Sequence, residues 1–145
     1  MANERLLATV LELDLTTNAF KAMPSLPSAT ASLASVRWGD EAILIGGASG
    51  KASLLSGYLG SKTVFMYNSK TGTTTELPSM SEARIGCSAI ITGNTIVVTG
   101  GRGRFGRVRS VEAFTLGGYT WRHLPPMHDI RSVASLTGLP MENVL

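Results

Sequence analysis

Four arginines within eight positions, Arg102, Arg104, Arg107 and Arg109, with Phe105 among them, are the densest set of chemically capable side chains in the sequence. A guanidinium binds planar oxyanions through paired hydrogen bonds. The ligand class that fits is an acidic peptide or a phosphorylated segment of a partner protein, and the plain alternative is a solvated basic loop. Nucleic acid is a minor third reading, because its binding scales with the phosphates neutralised and one loop neutralises few. The charge is uneven along the chain. Residues 84–131 carry seven arginines against Glu112 and Asp129, a net of +5, whereas residues 1–83 carry six basic and seven acidic side chains.

The other chemically suggestive patterns lack the context their chemistry needs. Gly101-Arg-Gly103-Arg-Phe-Gly106 has the glycine spacing of a dinucleotide-binding turn. That turn must open a helix and be followed about 20 residues later by an acid; here a strand pattern follows, and Pro125-Pro126 stands at that distance. Gly50-Lys51 resembles a phosphate loop, but Ile45 replaces its first glycine and Ala52 its metal-binding hydroxyl. His123 and His128 flank Pro125-Pro126 without metal-ligand spacing. Cys87, the single cysteine, excludes an internal disulfide and a cysteine-based zinc site, and its place in a first strand with no adjacent base predicts an inert buried thiol. Asp40-Glu41 reads as a solvent-facing turn. No metal or cofactor is expected.

These residues sit on a repeat. Met23-Pro-Ser-Leu26, Leu77-Pro-Ser-Met80 and Leu124-Pro-Pro-Met127 start 54 and then 47 residues apart. Ten residues before each start stand Leu13, Tyr67 and Phe114; three before stand Phe20, Thr74 and Trp121; four after each close stand Thr30, Arg84 and Arg131. Sixteen residues beyond Thr30 and Arg84 come Gly46-Gly47 and Gly100-Gly101. Recurrence at matched offsets is the mark of a repeat architecture. Each unit reads as four short strands: Leu33–Trp38, Glu41–Ile45, Thr63–Asn68 and Thr73–Leu77, then Gly86–Thr92, Thr95–Thr99, Arg109–Leu116 and Tyr119–Leu124. Gly39-Asp40, Gly93-Asn94, Thr71-Gly72 and Gly117-Gly118 supply the turns. Segments 48–61 and 102–108 read as equivalent loops joining second strand to third, the first longer by seven residues.

Four antiparallel strands in about 50 residues is the arithmetic of a β-propeller blade. The order Arg84, Gly100-Gly101, Phe114, Trp121, Leu124-Pro-Pro-Met127 resembles the kelch repeat, most specifically over residues 84–131, with Thr74 replacing the tryptophan one unit earlier. The expected fold is all-β, an incomplete kelch-like propeller. Its parts are the last strands of a partial blade over 1–30, complete blades over 31–83 and 84–130, and the first strand of another over 131–145. Propellers close with about four to eight blades, so the chain reads as a fragment, as a homo-oligomer completing the ring, or as a short open stack.

The resemblance implies a non-catalytic module binding a protein or peptide through loops on one face. Kelch proteins that recruit ubiquitin-ligase targets or bind actin owe those specifics to accompanying domains, so these are not carried over. The competing class is a fragment of a propeller enzyme acting on a sugar, of the oxidase or sialic acid isomerase type; the oxidase would need copper held by tyrosine and histidine beside a cross-linked cysteine. On the interaction reading the partner-binding residues are Ser49, Lys51, Tyr58, Arg102, Arg104, Phe105, Arg107 and His128, from the two loops and the inter-blade connection. Arg84 and Arg131 read equally as binders of inter-blade carbonyls or as ligand contacts. No run of about 18 apolar residues spans a membrane, no signal peptide is read, and a cytoplasmic location is expected.

Overall fold

The computed structural model describes residues 6–53 and 57–131, the side chains of 50–53 and 57–58 excepted. Runs rich in β-branched residues, bounded by glycine turns, form short strands. β1 (Val10–Asp14) and β2 (Ala19–Met23) make an antiparallel ribbon. β3 (Thr30–Ala31), β4 (Ala34–Trp38), β5 (Glu41–Ile45), β6 (Ala48–Ser53), β7 (Gly57–Gly60), β8 (Val64–Asn68) and β9 (Thr74–Leu77) complete the first repeat. β10 (Ser88–Thr92), β11 (Thr95–Thr99), β12 (Arg102–Gly103), β13 (Gly106–Arg107), β14 (Val111–Thr115) and β15 (Arg122–Leu124) form the second. Two four-stranded sheets result, ordered β4-β5-β8-β9 and β10-β11-β14-β15, antiparallel throughout. No helix occurs among the described residues.

One expectation is corrected. Segments 48–61 and 102–108 are not plain loops. β6 pairs with β3 on one side and β7 on the other in a three-stranded sheet, and β12 and β13 form a hairpin of their own. The chain entering the second repeat explains part of this: Arg84 bridges Ser61 on one side, and Ile85 bridges Arg102 on the other. Strand pairing satisfies backbone groups that a loop pressed between neighbours would leave without partners.

The two four-stranded sheets stack face to face. Ile43, Ile45 and Val64 of the first meet Ile96, Val98 and Phe114 of the second in one apolar cluster that also holds Met80, Cys87 and Trp121. Full burial of each such side chain contributes about 1.5–3 kcal/mol. The indole of Trp121 stacks on Phe114 at 5.3 Å between centroids and donates from Nε1 to the Pro78 carbonyl at 2.7 Å. One repeat earlier, Thr74 stands at the tryptophan position, and the Tyr67 hydroxyl reaches the equivalent carbonyl, that of Pro24, at 3.0 Å.

The glycine pairs seat the backbone of the following repeat. Gly46 and Gly47 adopt φ of +66° and +94°, and Gly100 and Gly101 adopt +64° and +91°, a region that strongly favours glycine. A Cβ on Gly46 would lie 2.7 Å from the Arg84 carbonyl oxygen, and one on Gly100 would collide with that of Arg131. In the space so kept, the Gly47 N–H donates to the Arg84 carbonyl at 2.8 Å and the Gly101 N–H to that of Arg131 at 3.0 Å.

The side chain of Arg84 is fully buried, as is that of Glu112. Its Nη1 donates to the carbonyls of Gly100 at 2.8 Å and Ser110 at 3.0 Å. Its Nη2 reaches Ser110 Oγ at 2.7 Å, Glu112 Oε2 at 2.9 Å and Glu82 Oε2 at 3.2 Å, and Nε reaches Glu112 Oε2 at 3.3 Å. Glu112 Oε1 accepts the Ser81 N–H at 2.7 Å. Of the two roles open for this arginine, the geometry supplies the structural one. Burial alone would raise the Glu112 carboxyl, but the Ser81 N–H and the Arg84 guanidinium outweigh it and hold the group below its ordinary value of 4.5.

Removing one member of this pair strands a buried charge, which costs about 3–5 kcal/mol; we therefore expect Glu112→Ala to lose that much in denaturant unfolding at neutral pH. Because the folded carboxyl titrates low, its stabilisation is complete above the ordinary value of 4.5 and is lost as pH falls through the folded value. Unfolding curves at stepped pH should show that acid-side loss in the parent chain and a shallower one in Glu112→Gln.

Candidate functional site: a basic hairpin and the groove beside it

β12 and β13 pair through only two rungs, Arg102 with Arg107 and Gly103 with Gly106. The tip is therefore Arg104-Phe105, and Gly106 takes a φ of +118° to close it. The first rung sets two guanidinium side chains directly opposite one another, an arrangement that like charges make unfavourable. Phe105 is 96% exposed, with the Arg104 guanidinium 5.5 Å from its ring centroid. Among the described residues, Arg102, Arg104 and Arg107 form no ion pair with a carboxylate.

Beside the hairpin runs a groove of about 450 Å³, lined by Lys62, Ser81, Glu82, Arg104, Phe105 and Arg107 among others. Its one acid, Glu82, is bound to Arg84 at 3.2 Å and accepts from the Ser110 hydroxyl. Lys62, Arg104 and Arg107 thus give the groove a positive balance. Lys62, Ser81 and Glu82 were not among the sequence-derived site residues. Their signal is position, since Ser81 and Glu82 follow the Leu77-Pro-Ser-Met80 turn into the inter-blade connection.

The other candidates fall in several places. Arg102, Arg104, Phe105 and Arg107 come together on the hairpin. Ser49 lies on β6 opposite Thr30 and donates from Oγ to the Leu59 carbonyl at 3.4 Å. Lys51 and Tyr58 fall on β6 and β7, and their side chains lie outside the described residues. The bridges from Arg84 to Ser61 and from Ile85 to Arg102 place the end of the β6–β7 hairpin and the stem of β12–β13 on either side of one backbone segment. His128 is exposed, and its carbonyl accepts from Arg109 Nη1 at 3.3 Å. It does not line the groove; it occupies the place of Ser81 one repeat later.

Elsewhere the described chemistry is committed to structure. Asp40 meets Lys70 at 2.6 Å on the surface, and Glu41 accepts from Asn68 Nδ2 at 2.8 Å. His123 is exposed on β15. Cys87, just before β10, is buried and directs Sγ at the Ile45 carbonyl, 3.8 Å away. Burial pushes its thiol above the ordinary value, with Arg84 only partly opposing. Among the described residues no three His, Cys, Asp or Glu side chains gather as metal ligands, and no helix is long and apolar enough to cross a membrane.

Residues 83–128 match the model of the Kelch motif. A search of the curated proteins gives no match. Among solved structures, that described as the structure of YjhT is similar with a TM-score of 0.73 at 15% identity, over 87% of this chain and 45% of that one. The chain thus spans under half the length of that similar chain.

The Cys87 environment makes a simple expectation. A thiol-specific reagent should modify the native chain slower by ~100-fold or more than the denatured chain, since reaction waits on local opening. Equal rates, read from absorbance of the released chromophore, would contradict the burial described.

Proposed function

We propose that this run of kelch-type propeller blades is a non-catalytic interaction module that holds an acidic segment of a partner protein against the β12–β13 hairpin. The observation that carries the reading is the Arg102–Arg107 rung: two like charges face each other without a carboxylate from the described chain. An incoming carboxylate would relieve that repulsion and accept paired hydrogen bonds. Phe105 and the stem of Arg104 add an apolar surface for the residues flanking the acid. The groove lined by Lys62 and Arg107 gives an extended segment somewhere to lie. Loops on a rigid scaffold are where recognition commonly resides. The buried ionisable groups, Arg84 and Glu112, bond to each other and the backbone, which favours a scaffold over a catalyst. A single buried thiol suits a reducing compartment, and a cytoplasmic site of action goes with this reading.

The test is fluorescence anisotropy with a labelled oligoglutamate peptide, against labelled duplex DNA of matched charge. Peptide binding should weaken as salt rises, and Arg104→Glu with Arg107→Glu should reduce affinity by at least ~10-fold while the circular dichroism spectrum is kept. Equal peptide affinity in the double variant, or binding to DNA alone, would reject the proposal.

A further inference from the structure

The register of the β12–β13 hairpin sets how much charge its ligand must bring. The Val108 N–H donates to the Gly101 carbonyl at 3.0 Å. The Gly101–Val108 pair is thus the hydrogen-bonded kind, and the next pair, Arg102 with Arg107, is the non-hydrogen-bonded kind. In such a pair the Cα atoms stand about 4.5 Å apart, and both side chains leave the same face at their closest spacing. The backbone of Arg102 is fixed from its other edge: its N–H donates to the Ile85 carbonyl at 2.8 Å, and its carbonyl accepts the Ile85 N–H at 2.9 Å. Gly103 lies so near the entering chain that an added Cβ would stand 3.2 Å from the Ala83 carbonyl oxygen. Both arginines are exposed, yet the stem that bears them is held by the segment entering the second repeat.

Arg107 belongs to this rung and to the groove, which lies between the two complete repeats. The groove takes Lys62 and residues 81–83 from the first repeat and the inter-blade connection, and residues 103–108 from the hairpin. Its one carboxylate, Glu82, is engaged by Arg84. A glutamate or aspartate brings a single negative charge to the two guanidinium groups of the rung. A phosphate monoester brings about 1.5–2, with three strong acceptor oxygens, enough to balance both groups at once through paired hydrogen bonds. The charge count and the spacing of the rung therefore favour a phosphate over a carboxylate.

We infer that the rung takes a phosphorylated serine or threonine in an extended segment of a partner protein, with the phosphate held between the Arg102 and Arg107 guanidinium groups and the flanking residues laid along the groove. The inference rests on the hairpin reading above and narrows it from acidic segments at large to phosphorylated ones. Phe105, 96% exposed beside the Arg104 guanidinium, offers its ring to an apolar neighbour of the phosphorylated residue. No bond is made or broken at the site, which reads a modification installed elsewhere.

Three labelled peptides test it by fluorescence anisotropy, alike in sequence with only glycine and alanine around one position that holds phosphoserine, glutamate or serine. The phosphoserine peptide should bind at least ~10-fold more tightly than the glutamate peptide, and the serine peptide should not bind. Arg102→Lys and Arg107→Lys keep the charge but lose the planar fork, so each should erase most of the preference for phosphoserine with an unchanged circular dichroism spectrum. Arg122→Lys, on β15, should leave it intact. Equal affinity for the phosphoserine and glutamate peptides, or a preference indifferent to both rung variants, would overturn the inference and leave the acidic-segment reading standing. Failure of both peptides, together with the oligoglutamate, would remove the two together. Duplex DNA bound more tightly than the phosphoserine peptide would assign the rung to nucleic acid instead. Should the rung variants misfold, the ratio of the two peptide affinities in the parent chain decides the matter alone.

Discussion

A guanidinium sealed from water must find acceptors for all its N–H groups inside the protein, and meeting that demand at Arg84 organises the second repeat. Its acceptors come from the end of β11, the approach to β14, β14 itself and the inter-blade connection. The same residue's backbone carries the joint between repeats, accepting from Gly47 and donating to Ser61. One residue thus ties strands within a blade through its side chain and blades to each other through its main chain. The first repeat has no equivalent ion pair. Thr30 and Phe65 stand at the positions of Arg84 and Glu112, and Thr30 Oγ1 donates to the Ala48 carbonyl at 3.1 Å.

The basic hairpin stands in contrast to this buried cluster. Arg84 and Arg107 are separated by a few strands, yet one has every donor satisfied and the other projects into solvent beside a like charge. The difference follows from where each lies along the blade. Arg84, at the entry to the first strand of its blade, turns inward onto acceptors of that blade, while Arg107, on the connection from second strand to third, lies exposed. Burial makes the first a fixture of the fold, and exposure leaves the second available to a partner.

Much of the fold was legible in the sequence because its signals are local. β-branched runs, glycine turns and the offsets between Leu77-Pro-Ser-Met80 and Leu124-Pro-Pro-Met127 each report a short-range preference. The β6–β7 and β12–β13 hairpins were not legible. Arg102-Gly103 and Gly106-Arg107 have neither strand propensity nor alternation, and they pair because Ile85 arrives beside them from another part of the chain. The arginine cluster was visible as charge, but the opposition of Arg102 to Arg107 needed a register that no spacing rule supplies. Likewise the sequence left the role of Arg84 open, since Glu112 lies 28 positions away and reaches it only once β14 is in place.

The proline carbonyls of Pro24 and Pro78 show what the architecture asks of a repeat and what it leaves free. In one blade the donor is a phenol on the third strand, and in the next an indole beyond it. What persists is an N–H or O–H delivered to one point in space, not the residue that delivers it. A lineage of such units can therefore exchange Tyr and Thr for Phe and Trp in concert, drifting far apart in letters while each hinge keeps its latch.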